Sequence, residues 1–225
     1  MIQLFRPSVG DEEAAAVRET LVSGWLGLGP RTAAFEDRFA EHVGVAHCVA
    51  LNSGSAALHL AMLALRLPPA TEVVVPTLTF VSTAHAGVLA GARVVFADVD
   101  PLTLNLDPRD LERRLSPRTR AIVPVHYGGH PCAMDEIAEL ARGCGATVIE
   151  DAAHAAGASY RGRRIGSLSP LTCFSFHGIK NMTTGDGGCV TTPSPEHAVT
   201  LRRLRWVGID RDTWQRTGAH ATQPD

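Results

Sequence analysis

The chain has 225 residues, 45% hydrophobic and 20% charged, the proportions of a globular domain that can bury a sizeable core. Its 21 Lys and Arg against 23 Asp and Glu leave a formal charge of -2, which argues against a nucleic-acid or membrane-binding surface. No apolar run is long enough to span a bilayer, and the N-terminal stretch turns acidic at Asp11 before a secretory apolar core develops.

In chain order, the periodicity predicts helices over residues 10–23 and 31–43, a strand at 47–52 and a helix at 55–66. A strand at 72–76, a helix at 80–90, a strand at 93–99 and a helix at 107–115 follow. Then come a strand at 121–126, a helix at 133–143, strands at 147–151, 172–176 and 188–192, and a helix at 195–206. The strand runs are rich in Val and Ile and lack polar alternation, so they read as buried on both faces. Their alternation with helices implies βαβ units and an α/β fold: a mostly parallel seven-stranded sheet flanked by helices. Residues 213–225 have no periodicity and read as an irregular tail.

Five cysteines (Cys48, Cys132, Cys144, Cys173 and Cys189) form no CxxC pair and several lie in apolar runs; they read as buried, reduced thiols of a cytoplasmic protein. The basic cluster Arg161–Arg164, interrupted by Gly162, reads as a solvated turn rather than a phosphate site. His126 and His130 in HYGGH are separated by glycines, which argues against a helical metal-ligand pair, so no metal is expected. That segment is expected to line a pocket or close a strand turn.

Parallel α/β sheets bind ligands beyond the carboxyl ends of their strands, so the residues following each apolar run matter most. After HCVALN, the Ser53-Gly54-Ser55 turn leads into an apolar helix. It fits a plain serine N-cap or an anion site made of helix-start N–H groups. After VVVP, Phe80 stands near a helix start, either as core or as a platform for a flat ring. After TVI, Asp151 either caps a helix or faces a buried cation, with His154 three residues on. After CFSF come Ser175, His177 and Lys180 in a Gly/Thr-rich loop. Lys180 is a surface lysine, or a pocket lysine whose amine loses its charge readily and attacks carbonyls. A phosphate cradle, an aromatic platform, a buried acid and a nucleophilic lysine are together the set that pyridoxal 5'-phosphate (PLP) requires.

The segments SGWLGLGP (23–30), NSGSAALHLA (52–61), VVVPTLTFVSTAHA (73–86), DVDPLTLNLDP (98–108), AIVPVHYGGHPCAMD (121–135), VIEDAAHAAGASYRGRRIGSLS (148–169) and CFSFHGIKNMTTGDGGCV (173–190) occur in the order found in one family. The chain resembles the DegT/DnrJ/StrS family of PLP-dependent sugar aminotransferases, which have the aspartate-aminotransferase fold. The resemblance implies that Lys180 is the catalytic lysine that joins the cofactor, and that Asp151 pairs with the pyridine nitrogen. It implies phosphate contacts from Gly54, Ser55 and Ser175, ring stacking by Phe80, and a place for His154 near the phenolic oxygen. Trp25 would lie near the sugar-nucleotide entrance.

The implied reaction moves an amino group from glutamate or glutamine to a nucleotide-linked keto sugar. Relatives with His in place of the lysine are sugar dehydratases, and Lys180 points away from that branch. Family members are longer and carry a smaller C-terminal domain. On that comparison residues 1–212 are the PLP-binding large domain, 213–225 a tail, and the small domain is missing. The expected assembly is a homodimer, or a pairing with a complementary C-terminal polypeptide, with no nucleic-acid or membrane partner. The alternative is a truncated, catalytically incompetent PLP-binding remnant, or an assembly partner of a split aminotransferase.

Overall fold

The computed structural model describes residues 5–209. The expected tail at 213–225 lies outside them. Two helices, α1 (Asp11–Ser23) and α2 (Pro30–Val43), lead into strand β1 (His47–Leu51). There follow α3 (Gly54–Ala64), β2 (Glu72–Pro76), α4 (Val81–Leu89), β3 (Arg93–Ala97), α5 (Pro108–Arg114), β4 (Thr119–Ile122), α6 (Met134–Cys144) and β5 (Thr147–Asp151). A small hairpin, β6 (Ser159–Tyr160) and β7 (Arg163–Arg164), precedes β8 (Leu171–Ser175), β9 (Gly188–Thr192) and α7 (Pro195–Arg205).

Seven strands form one sheet in the order β1-β9-β8-β5-β4-β2-β3. The pairs β2–β3, β2–β4, β4–β5 and β5–β8 are parallel, and β9 runs antiparallel to both its neighbours. The mostly parallel seven-stranded sheet expected above is therefore present, with β9 as its reversed strand.

The strands are buried on both faces, which explains their unbroken apolar runs. Along β2, Val73 and Val75 join the core cluster that contains Ala57, Ala61 and Leu201, whereas Val74 joins the opposite cluster with Ile122 and Ile137. This is the period of two expected of a pleated strand. Helices α3, α4 and α7 thus cover one face, and α5 and α6 the other. There α2 extends the cover, its Phe39 packing edge-to-face on Phe174 and Phe176 with centroids 5.0 and 5.4 Å apart. Helix α2 starts with Pro30 at its first turn and stops at Gly44, whose φ of 76° suits a residue without Cβ.

Two local features differ from the sequence-based reading. The strand expected over 121–126 leaves regular pairing after Ile122, because Pro124 has no N–H to donate. The chain instead rejoins β5 through a bridge from Val125 to Asp151, then turns over Tyr127–Gly129. The basic cluster forms the tip of the β6–β7 hairpin, with positive φ at Arg161 and Gly162. Its arginines are exposed, and Arg161 donates to Asp135 at 2.6 Å.

All five cysteines are free; Cys144 is half-buried and the others are buried. Among the described residues, no helix is long and apolar enough to cross a membrane.

Candidate active site

Parallel strands finish at the same edge of a sheet, so the segments after β1, β2, β5 and β8 converge there. They enclose a cavity of about 320 Å³. Its lining includes Gly54, Ser55, Phe80, Asp151, His154, Ser175 and Lys180. A larger open groove of about 640 Å³ lies between α2 and the loops at 156–157 and 181–182; it is mostly apolar and contains none of these residues.

The Ser53–Ser55 turn is both a cap and an anion-ready helix start. The Ser53 hydroxyl accepts the Ala56 N–H at 3.1 Å. The N–H groups of Gly54 and Ser55, the first of α3, have no intrahelical acceptor. The Ser55 hydroxyl reaches Ser82 Oγ at 2.6 Å. Gly54 is needed for packing: a Cβ there would come within 2.7 Å of the Ser175 Cβ. Strand β9 is pressed against the same turn, since a Cβ on Gly188 would run into the backbone of Ser53.

Asp151 ends β5 and is only 4% exposed. Its Oδ2 accepts the Thr83 hydroxyl at 2.7 Å and its Oδ1 accepts the Ala153 N–H at 3.1 Å. No helix begins at Asp151, so capping does not account for this acid. Lys180 is half-buried in the loop after β8, its backbone N–H donating to His177 O at 2.9 Å. Burial holds its amine below the usual lysine range, while the Asp151 charge acts in the opposite direction. It is the single lysine in the chain.

His154 is half-buried, and its Nδ1 accepts the Gly128 N–H at 3.3 Å. A neutral ring in that arrangement carries its proton on Nε2. Burial, and then the Lys180 charge, push His154 below the ordinary histidine range; Asp151 opposes them. Phe80 is 70% exposed at the start of α4, on the cavity lining rather than in the core.

Trp25 does not line the cavity. It sits in the α1–α2 turn, 59% exposed, with its indole N–H donating to Leu28 O at 3.0 Å. The HYGGH segment both lines the cavity, through Tyr127, and closes the turn after β4. Within it His126 is fully buried against Glu150. Among the described residues, no group of three or more His, Cys, Asp or Glu side chains is placed to hold a metal.

Sequence reasoning missed Thr79, Ser82 and Thr83. Their signal is the run TLTFVSTAHA, where hydroxyls three and four residues apart share one face of a helix start. Asp186 and His177, also on the lining, lie in the loops that flank Lys180.

The sequence profile of the DegT/DnrJ/EryC1/StrS aminotransferase family matches residues 7–222. The spore coat polysaccharide biosynthesis protein SpsC of Bacillus subtilis is 47% identical over 216 residues, covering 96% of this chain and 56% of SpsC. The aminotransferase of Psychrobacter cryohalolentis superposes with a TM-score of 0.93 at 36% identity, over 97% of this chain and 56% of that one. DesI, solved in the presence of its TDP-sugar product, superposes with a TM-score of 0.85 at 38% identity, over 92% of this chain and 53% of that one. The Streptococcus pneumoniae protein Spr1654, 30% identical, has been solved in PLP and PMP forms. The chain spans about half the length of these relatives. It belongs to the DegT/DnrJ/EryC1/StrS aminotransferase family, whose cofactor is PLP.

Proposed function

We propose that this protein is a PLP-dependent aminotransferase that moves an amino group from glutamate or glutamine to a keto group on a nucleotide-linked sugar. One observation carries the reading. A single cavity joins helix-start N–H groups, an oriented carboxylate and a half-buried lysine whose amine is easier to deprotonate than usual. The TDP-sugar product of DesI and the polysaccharide role of SpsC support the substrate class. The buried free thiols fit a reducing cytoplasm.

The residues present fit the cofactor group by group. The Gly54 and Ser55 N–H groups, with the Ser55 and Ser175 hydroxyls, form an anion cradle that a Cβ at Gly54 would obstruct. Asp151 would present its carboxylate to a protonated ring nitrogen, and Phe80 a flat face to the ring. Bound PLP supplies an electron sink for a carbanion at the amino-bearing carbon. His154, with its proton on Nε2, would be the donor to the ring's phenolic oxygen. Lys180 is the residue that would hold the cofactor, and an amine that loses its charge readily suits that role. With its amine free, Lys180 would serve as the general base and acid that moves the donor carbon's proton. The sugar side of the site is completed by a second copy of the chain, or by polypeptide equivalent to the part of the relatives that this chain does not span. The exposed apolar side chains of Phe80 and Ile179 at the mouth support such a cover.

Mixing the purified protein with PLP tests the reading. We expect a new absorption band above about 400 nm, where a conjugated imine of the cofactor absorbs. Lys180→Ala should abolish the band, and adding glutamate should produce pyridoxamine phosphate. Absence of any lysine-dependent band sinks the proposal. A band without pyridoxamine phosphate favours the second reading, a PLP-binding remnant or assembly partner.

A further inference from the structure

We infer that Thr83, backed by Thr79, is a positioning residue that aims the Asp151 carboxylate into the cavity before any ligand arrives. The inference rests on the proposed pairing of Asp151 with the cofactor's ring nitrogen.

The geometry is directional. Thr83 is fully buried, and its single hydroxyl proton goes to Asp151 Oδ2 at 2.7 Å. Its oxygen also lies 2.7 Å from the Thr79 hydroxyl. With the Thr83 proton already committed, Thr79 must be the donor of that second bond. The three groups therefore form a one-way chain, Thr79 to Thr83 to Asp151, in which each bond polarises the next. Thr79 is half-buried and reaches the cavity lining; Thr83 does not.

Two elements far apart in sequence have to be held together for this chain to exist. Thr83 lies in the first turn of α4, whose backbone approaches the sheet closely one turn later. A Cβ on Gly87 would lie 3.1 Å from Val94 Cγ2 and 3.6 Å from Val73 Cβ. That close seat carries Thr83 to the end of β5, 68 residues away along the chain. The Ala153 N–H holds the other carboxylate oxygen at 3.1 Å. With one fixed donor on each oxygen, the carboxylate cannot rotate freely. Its remaining lone pairs stay turned toward the cavity that Asp151 lines. A ring N–H then meets an acceptor already in place, and no ordering is left for the binding step.

The test measures PLP affinity by titration with Thr83→Val, which keeps the shape and loses the hydroxyl, and with Thr83→Ser, which keeps the hydroxyl. The magnitude follows that of a hydrogen bond to a charged group. Thr83→Val is expected to weaken PLP about tenfold, with Thr83→Ser within about twofold of wild type. In an Asp151→Asn background Thr83→Val should add nothing, because the residue acts only through that carboxylate. PLP labelled with ¹⁵N in the ring gives a second readout: Thr83→Val should move the nitrogen resonance toward its deprotonated position. If Thr83→Val does not fold, the half-buried Thr79→Val carries the test, with a smaller loss of about threefold expected. Equal affinity and an unmoved resonance in the folded variants would overturn the inference. So would a full additional loss in the Asp151→Asn background, or a serine variant as poor as valine. A wild-type protein with no lysine-dependent PLP binding removes the cofactor reading and this inference together, whereas the variant results bear on Thr83 alone.

Discussion

Nε2 of His126 lies 2.8 Å from Oε2 of Glu150, with both side chains fully buried. Nδ1 of His126 accepts the Cys132 N–H at 3.1 Å, so that nitrogen carries no proton and Nε2 donates to the carboxylate. The Thr172 hydroxyl donates to the other oxygen at 3.0 Å. One carboxylate thus ties β5 to β8 and to the segment after β4, on the sheet face opposite Asp151. Removing its partner leaves a buried charge with too few donors. We expect His126→Ala to lower unfolding stability by about 3–5 kcal/mol in urea melts. Glu150→Gln should lose about 1 kcal/mol, because its amide accepts from His126 and donates to Thr172. Equal losses for both variants would contradict this account.

Lys180 is the chain's single lysine, so amine labelling can be read without ambiguity beyond the N-terminus. Treatment with PLP and borohydride should add one stable label, on the peptide containing Lys180. Burial lowers the amine pKa and the Asp151 charge raises it. The pH midpoint for labelling by a neutral aldehyde should therefore lie below that of a surface lysine. Asp151→Asn should lower it further, because the anion that favours the ammonium form is gone. A midpoint that rises in Asp151→Asn would reverse the sign of the interaction.

Much of the fold was legible because strands buried on both faces appear as continuous apolar runs, such as EVVVP in β2. The reversal of β9 was not, since GCVTT reads alike in either direction and its partners are remote. Strands β6 and β7 have two residues each, too few for a period to appear. The site was legible at strand ends, where a polar residue interrupts an apolar run, as at Asp151 and Ser175. Thr83 left no such mark. The hydroxyl spacing in TLTFVSTAHA places it on a face with Thr79, but its partner Asp151 lies 68 residues away in another βα unit, which local spacing does not reveal.

Gly54 and Ser175 pack closely in the proposed anion cradle. A Cβ at Gly54 would sit 2.7 Å from the Ser175 Cβ, and neither atom is the end of a flexible side chain. Gly54→Ala must therefore push α3 away from β8. The expected result is a folded protein with PLP affinity lowered about tenfold or more, the size of one lost charge-assisted hydrogen bond. Affinity for pyridoxal, which lacks the phosphate, should fall much less. Equal losses for both ligands would mean that the glycine serves packing only. Gly188→Ala is the contrasting case: its Cβ would meet backbone atoms of Ser53, so thermal stability should fall as well.

Asp110 gives a prediction about acid stability away from the cavity. Its carboxylate accepts the Asp98 N–H at 2.6 Å and two arginine contacts, from Arg113 at 2.8 Å and Arg114 at 3.2 Å. The Asp98 N–H is the largest cause that brings its pKa down to about 2; burial opposes the shift and the arginines assist it. Both arginines are half or more exposed, so solvent screens them and the backbone bond dominates. That bond fastens the chain after β3 to α5. An unfolded aspartate titrates near about 3.9. The stabilisation is therefore complete above that pH and is lost as the pH falls through about 2. Asp110→Asn should unfold about 2 kcal/mol more easily at neutral pH, the scale of a hydrogen bond to a charged group. Denaturant melts of the two proteins should draw together as the pH is lowered below about 4. A gap that stays constant down to the acid limit would mean that Asp110 acts through shape and not through its charge.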